Sequence, residues 1–395
     1  MNEMAFAEKD YPTNENLSRL RARRGIKWHT HPTDVLPAWI ADMDFDVAAP
    51  IRDFLIDTAR AGDLGYPPAL DSDPLAEIFC ARMAQRYGWR PEATRVELLT
   101  DIVQGLYIAL EQYSNPGQGV VIQTPIYPPF LVAADEVGRP ALCNPLRFGG
   151  DGFEIDLDGL VDLLRRHDAR VLMLCNPHNP SGRVLRHDEL EAIAELALAH
   201  DLVVLSDEIH ADLTYPGHHH IPFASLGPEV AARTVTFYSA TKAFNTAGIR
   251  CAVAAFGSEE LHARFARVPR RVRGGLGIFA TGVTRVAWTR CAAWLAQTRK
   301  KLRVNRDHLG ARLAAEFPEI GYVAPQATYL AWLDCRALGI GPDPAKFFLD
   351  TARVALMDGS RFGEPGRGWV RLNFATETEI LDLMLDRMHA AIARV

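Results

Sequence analysis

Lys242 lies in the run SATKAFNTAGIR (239–250), between Ser239 and Thr241 and ahead of Gly248 and Arg250. A lysine amine that loses its proton attacks aldehydes and forms a Schiff base. Two hydroxyls and a guanidinium beside it can bind a phosphate. An aldehyde and a phosphate on one small molecule describe pyridoxal phosphate, and this layout suits it.

Further residues fall in the order that such a ligand requires. Asp207 ends the apolar run LVVLSD (202–207). A carboxylate at the carboxyl end of a strand can pair with a protonated pyridine nitrogen and keep the ring an electron acceptor. An ordinary cap or loop aspartate is the competing reading. CNPHNPSG (175–182) holds two Asn-Pro steps and a glycine, which make a rigid turn. Asn179 in that turn could donate its amide to the cofactor's phenolic oxygen. Arg371 stands between apolar residues in VRLNFA (370–375). A buried guanidinium needs a partner, either a substrate α-carboxylate or an internal salt bridge. Asp101 precedes the helical pattern IVQGLYIAL, where free N–H groups of Ile102 and Val103 could hold phosphate. A plain N-cap explains Asp101 equally well. Tyr127 in QTPIYPPF could stack on the ring, and Tyr66 in GYP could reach the phosphate.

The chain has 395 residues, 48% hydrophobic and 23% charged, with a net charge of −6. That balance is ordinary for a soluble globular protein and opposes nucleic-acid binding, which runs on clustered Lys and Arg. The basic stretch RFARVPRRVR (264–273) reads as a solvated helix face or a subunit contact. Six separate cysteines with no CxxC pair read mostly as small buried hydrophobes and fit a reducing cytoplasm. HHH (218–220) sits in a Pro/Gly loop without evident partner ligands, so no metal is expected there. The start MNEMAFAEKD lacks the apolar core of a signal peptide. No segment has the ~18 apolar residues of a membrane span.

Positioning these residues requires a scaffold. Strand candidates at 96–99, 119–123, 141–145, 170–175, 202–206, 234–238 and 250–256 alternate with helix candidates at 102–113, 157–166 and 187–200. Such alternation predicts an α/β domain with a large, mostly parallel, seven-stranded sheet. Residues 46–286 are assigned to this domain. From about 287 the pattern changes. One long helix is expected over 286–317, then strand-like 322–335, helix-like 343–354, strand-like 368–375 and a last amphipathic helix. Residues 1–45 with 287–395 would form a smaller α+β domain.

Taken together, the chain resembles the fold-type I pyridoxal-phosphate enzymes, the class I/II aminotransferase superfamily. Within that superfamily it more closely resembles the MalY/PatB-type C–S lyases, or cystathionine β-lyases. Its marks are KW (27–28), LPAWIADMDFDVAAPI (36–51), GYPPA (65–69), TPIYPPF (124–130), CNPHNPSGRV (175–184) and SDEIHADL (206–213). HIPFASL (220–226), NRDHL (305–309), TYLAWLD (328–334), DGSRFG (358–363) and VRLNFA extend it. The resemblance implies pyridoxal 5′-phosphate as cofactor and a homodimer with shared active sites, in which Tyr66 reaches the neighbour's phosphate. It makes Lys242 the Schiff-base lysine and proton carrier. Asp207 then serves the ring nitrogen, Asn179 the phenolic oxygen and Arg371 the substrate carboxylate. His210 is placed near that oxygen, Ser239, Thr241 and Arg250 at the phosphate, and Ile40–Ala41 along the substrate pocket. The implied reaction is α,β-elimination from cystathionine or another S-substituted L-cysteine, giving a thiol, pyruvate and ammonia. An aminotransferase, or a biosynthetic enzyme acting on a bulky cysteine thioconjugate, would use nearly the same cofactor contacts.

Overall fold

A computed structural model describes residues 15–62, 64–67, 73–149 and 152–395. The start of the chain and Pro68–Ala69 of the GYPPA motif lie outside the described residues.

Seven strands form the central sheet: β1 (Val96–Leu99), β2 (Gly119–Thr124), β3 (Ala141–Pro145), β4 (Ala169–Cys175), β5 (Val203–Asp207), β6 (Thr234–Tyr238) and β7 (Ala252–Phe256). Their order is β1-β7-β6-β5-β4-β2-β3. Strand β7 runs antiparallel to both neighbours, and the other pairings are parallel. Every residue of β2, β5, β6 and β7 is buried. Continuous apolar runs are what a sheet covered by helices on both faces requires. The expected strands form, three with the expected bounds and the other four with ends shifted by one or two residues. Strand β7 begins late because Arg250 takes a positive φ of 52°, which no extended run tolerates.

A second sheet contains β8 (Gly321–Tyr322), β9 (Leu330–Asp334), β10 (Met357–Asp358) and β11 (Trp369–Asn373), in the order β8-β9-β11-β10 and antiparallel throughout. The helices Ala292–Glu316 and Thr378–Ile392 pack on each other beside it. Buried Asn305 ties the first helix to the exit of β11, donating to the carbonyls of Phe374 and Thr376 at 2.9 and 2.7 Å.

The single helix expected over 286–317 is two helices, Ile278–Arg290 and Ala292–Glu316. They break at Cys291, whose backbone leaves the helical region (φ −111°, ψ 20°). The first half is rich in Gly, Thr and Val, poor helix formers, and is buried on nearly every side. The boundary expected at 286/287 therefore falls inside a helix. Between β8 and β9 the chain is a loop rather than strand, with Thr328 at φ 72°. Residues 343–354 give one helical turn, Pro344–Phe347, a π turn, Phe348–Ala352, and a short strand, Val354–Ala355. Cys143 is exposed and Cys80 half-buried, so the reading of the cysteines as buried hydrophobes holds for the other four.

An N-terminal arm joins the two sheets. Leu36–Pro37 pairs with Val354–Ala355. Asn373 of β11 donates to the carbonyls of Ile40 and Asp42, each at 2.7 Å. Asn245, three residues past Lys242, donates to the carbonyls of Met43 and Phe45 and accepts from the N–H of Met43. The KW and ADMDF motifs meet in a buried cluster. Lys27 and Trp28 both donate to the Asp44 carboxylate, at 2.9 and 2.7 Å. A buried pair this well satisfied fixes one geometry for the arm.

Candidate active site

All the central-sheet residues singled out above lie at one edge. Asp207 is the last residue of β5. Asn179 follows β4, Tyr127 follows β2, Asp101 follows β1, and Ser239, Thr241 and Lys242 follow β6. This is the carboxyl edge, where open α/β sheets bind ligands. The arm and β11 close the opposite wall. Between them is a cavity of about 580 Å³, within the usual range for small-molecule sites.

The Lys242 amine sits in the cavity wall and donates to the Ala41 carbonyl at 3.0 Å. Burial, then the nearby Arg371, pushes its pKa down to about 8, against opposing pulls from Asp42 and Asp207. A substantial fraction of the amine is thus neutral near pH 8, the form that attacks an aldehyde.

Asp207 is buried, and burial raises its pKa to about 7. Glu208 adds to the rise, while the Ile209 N–H and Lys242 oppose it. Its neighbours in SDEIHADL are differently placed. Glu208 accepts from Ser206, His220 and the Phe223 N–H. Asp212 is gripped by Arg82 and Arg86. Asp207 has the Ile209 N–H at 3.0 Å and no cation in ion-pair contact among the described residues. A cationic group arriving from the cavity would supply what is missing. His220, the last of the three consecutive histidines, is the partner of Glu208.

Arg371 is 2% exposed. Its guanidinium donates to the Asn179 side-chain oxygen at 2.9 Å and to the Trp39 carbonyl at 3.1 Å, and it lies 5.0 Å from the centre of the Phe362 ring. Its Nε has no partner, and no carboxylate among the described residues pairs with it. The internal salt bridge left open by the sequence does not form. Burial lowers its pKa to about 10, which leaves it charged at neutral pH. A buried charge without a counter-ion is costly, and such a site calls for an anionic ligand.

At the other end of the cavity, Asp101 caps the helix Ile102–Tyr113, accepting from the Gln104 N–H at 2.8 Å. The N–H groups of Ile102 and Val103 are left free of helical carbonyls by position alone. Arg250 stands beside them at the mouth, 3.3 Å from Asp101. The Ser239 hydroxyl donates to the Cys251 carbonyl at 2.6 Å and lies 2.9 Å from that of Thr241. Ile102, Val103, Ser239, Thr241 and Arg250 all line the cavity. Asp101 is therefore the ordinary cap, and the positive end of its helix faces the cavity as well.

His210 and Tyr127 complete the walls. The buried Nδ1 of His210 has no partner. Burial, then Lys242, Arg371 and His178, pushes its pKa down to about 3, so the ring is neutral. The Tyr127 N–H donates to the Asn179 carbonyl, which ties the turns after β2 and β4 together. Ile40 and Ala41 line the cavity, as does Trp39, which the sequence did not single out. Tyr66 stands apart, fully exposed and away from the cavity of its own chain. Met357, Arg361 and Phe362 also line the cavity. DGSRFG was visible as a motif, but no spacing rule tied it to the site. The β10–β11 pairing does that.

The cavity thus presents an amine, an anion-binding end, a buried carboxylate able to hold a cation, and a lone buried guanidinium. The model for class I and II aminotransferases matches residues 73–388. The chain belongs to that family. It is 34% identical to the cystathionine β-lyase PatB of Bacillus subtilis over 363 residues, 91% of this chain and 93% of that one. The crystal structure of OvoB superposes with a TM-score of 0.88 at 38% identity, over 94% of this chain and 97% of that one. The pyridoxal-phosphate-bound C–S lyase of Staphylococcus hominis superposes with a TM-score of 0.89 at 27% identity, over 94% of this chain and 97% of that one. Within the family the chain falls in the MalY/PatB-type branch.

Proposed function

We propose that this protein is a pyridoxal-phosphate-dependent C–S β-lyase, releasing a thiol, pyruvate and ammonia from an S-substituted L-cysteine such as cystathionine. The observation that carries the reading is the juxtaposition of three unusual groups around one cavity: the low-pKa amine of Lys242, the unneutralised carboxyl of Asp207 and the unneutralised guanidinium of Arg371. Resemblance to PatB favours elimination over transamination.

The residues fit the cofactor. Lys242 would carry it on its amine, and Ser239, Thr241, Arg250 and the N–H groups of Ile102 and Val103 would hold its phosphate. Asp207 would face its ring nitrogen, Asn179 and His210 its phenolic oxygen, and Tyr127 its ring face. Bound there, pyridoxal phosphate supplies an electron sink for the pair left when the Cα–H bond breaks.

The chain's own groups do the rest. Arg371 binds the α-carboxylate through its outward N–H groups and fixes which Cα bond points at Lys242. Lys242 takes the Cα proton; an amine tuned toward neutral pH suits that transfer. The Cβ–S bond then breaks with its electron pair going to sulfur, which takes up a proton and leaves as the thiol, and water hydrolyses the released aminoacrylate to pyruvate and ammonia. Asp207 stays ionised beside the positive charge it holds, and Ile40, Ala41 and Trp39 keep water from that face. We further propose a cytoplasmic homodimer in which the exposed Tyr66 reaches the partner's phosphate end. The N-terminal arm and the second sheet would form a small domain closing on the first.

The test uses purified protein reconstituted with pyridoxal phosphate. S-substituted cysteines, including cystathionine, are supplied without a keto acid, and pyruvate, ammonia and thiol are assayed together. Catalytic formation of all three in step, lost in Lys242→Ala, supports the lyase. Formation of a keto acid without thiol contradicts it.

A further inference from the structure

A second arginine lines the cavity. Arg361, in the short helix Gly359–Phe362, is exposed on the same wall as Arg371. The sheet register explains the closeness. Met357 of β10 pairs with Arg371 of β11, and directly paired residues point to one face. The Arg361 guanidinium in turn reaches the Met357 thioether, 3.8 Å from Nη1 to Sδ. Met357 thus separates the two guanidiniums, and their mutual repulsion contributes to the lowered pKa of Arg371.

Among the described residues, nothing nearby neutralises Arg361. The carboxylates flanking it are engaged elsewhere: Asp358 accepts from the Ser360 N–H at 2.9 Å, and Glu364 pairs with Arg367 at 2.8 Å. No carboxylate among the described residues lies within ion-pair distance of it. A thioether is a weak acceptor for a guanidinium with five donors. A solvated surface arginine could also lack a partner. This one, however, stands on the wall of a cavity already holding another unpaired arginine, with an apolar spacer between them.

We propose that Arg361 binds a second carboxylate, on the thiol portion of the substrate, so that the enzyme selects cysteine S-conjugates with acidic leaving groups. This rests on the lyase reading and on Arg371 as the anchor for the α-carboxylate. An amino acid held at Arg371 with Cα toward Lys242 extends its side chain past Met357. A carboxylate two or three carbons beyond the sulfur then meets Arg361. Such a pair at a partly wet mouth works through a strong but solvent-screened bond, and its loss is felt as weaker binding of the acidic conjugate.

The experiment compares kcat/KM for S-(2-carboxyethyl)-L-cysteine with that for S-propyl-L-cysteine, in the wild type and in Arg361→Gln, both as holoenzymes. The acid-to-neutral ratio is expected to fall tenfold or more in the variant. A smaller fall overturns the proposal. A direct binding measurement separates this from the chemistry: the wild-type holoenzyme should bind pimelate, whose carboxylates are as many bonds apart as those of S-(2-carboxyethyl)-L-cysteine, at least tenfold more tightly than hexanoate, and Arg361→Gln should erase the difference. Equal affinities in the wild type overturn the inference even if elimination is confirmed. Preferential pimelate binding without pyruvate release would sustain the inference and refute the lyase reading.

Discussion

The two walls of the cavity are built by different rules. One is the carboxyl edge of the seven-stranded sheet, where Asp207 ends one strand and Lys242 and Asn179 each follow another by a few residues. The other combines the N-terminal arm with β11 and the turn after β10, and carries Arg371 and Arg361. The first wall is assembled from one continuous stretch of alternating strand and helix. The second is assembled from segments more than 300 residues apart in sequence, stitched by side chains such as Asn373. On the proposed reading, the first wall positions the chemistry and the second positions the molecule that undergoes it. The two should therefore fail in different ways when damaged.

Removing the amine is expected to have the largest effect. Lys242→Ala should lower kcat by roughly 10⁴-fold, since both nucleophile and proton carrier are lost. Its Tm should change little, because the lysine pairs with one carbonyl and is not a packing residue. A variant retaining a tenth of the wild-type rate would remove Lys242 from the mechanism.

Arg371→Leu attacks the other wall. Two charge-assisted bonds to a carboxylate are worth together roughly 10²- to 10⁴-fold in kcat/KM. The variant should keep its cofactor, seen as unchanged visible absorbance after gel filtration. Loss of the cofactor with the arginine would mean that the walls do not divide the work in this way.

Asp207→Asn should sharpen the contrast, because it affects activity and stability in opposite directions. Activity should fall about 10²-fold with the loss of the charge facing the ring. The sign for stability follows from the raised folded pKa. The folded carboxyl holds its proton more tightly than the unfolded one, so its contribution is fully present below about pH 4 and is lost as pH rises through about 7. At pH 8 the cofactor-free wild type carries an unpaired buried carboxylate. The asparagine variant removes it, and its Tm without cofactor should be higher by roughly 2 °C or more. A lower Tm at that pH would show that Asp207 is already neutralised by its surroundings.

The smallest effect concerns pH. Uptake of pyridoxal phosphate by cofactor-free protein requires the neutral Lys242 amine. With a pKa near 8, the uptake rate should rise about tenfold between pH 7 and pH 9 and then level off. A rise that continues past pH 10 would mean that burial and Arg371 do not depress this lysine.

The difference between the walls also explains what the sequence could reveal. The strands of the first wall were legible because residues such as Val120–Ile122 and Val203–Leu205 are apolar on both faces, and their polar punctuation falls at the carboxyl edge. Asp207 stood out as the charge that ends such a run. Arg371 was visible for the same reason, an arginine within an apolar strand, but its partners were not. Asn179 and the Trp39 carbonyl come from distant segments. Arg361 gave no periodic signal, since it sits in a short turn whose position depends on the Met357–Arg371 pairing. The helix Ile278–Arg290 was hidden by Gly282 and its β-branched residues, whose poor helix propensity tertiary burial overrides.

The central claim is that the cavity breaks a Cβ–S bond rather than exchanging an amino group. The direct measurement is the number of turnovers per active site with an S-substituted cysteine as the sole substrate and no keto acid present. The account predicts many equivalents of pyruvate, matched one to one by thiol and ammonia. Keto-acid release that stops after one equivalent, and resumes only when a keto acid acceptor is added, would contradict it and make the protein a transaminase.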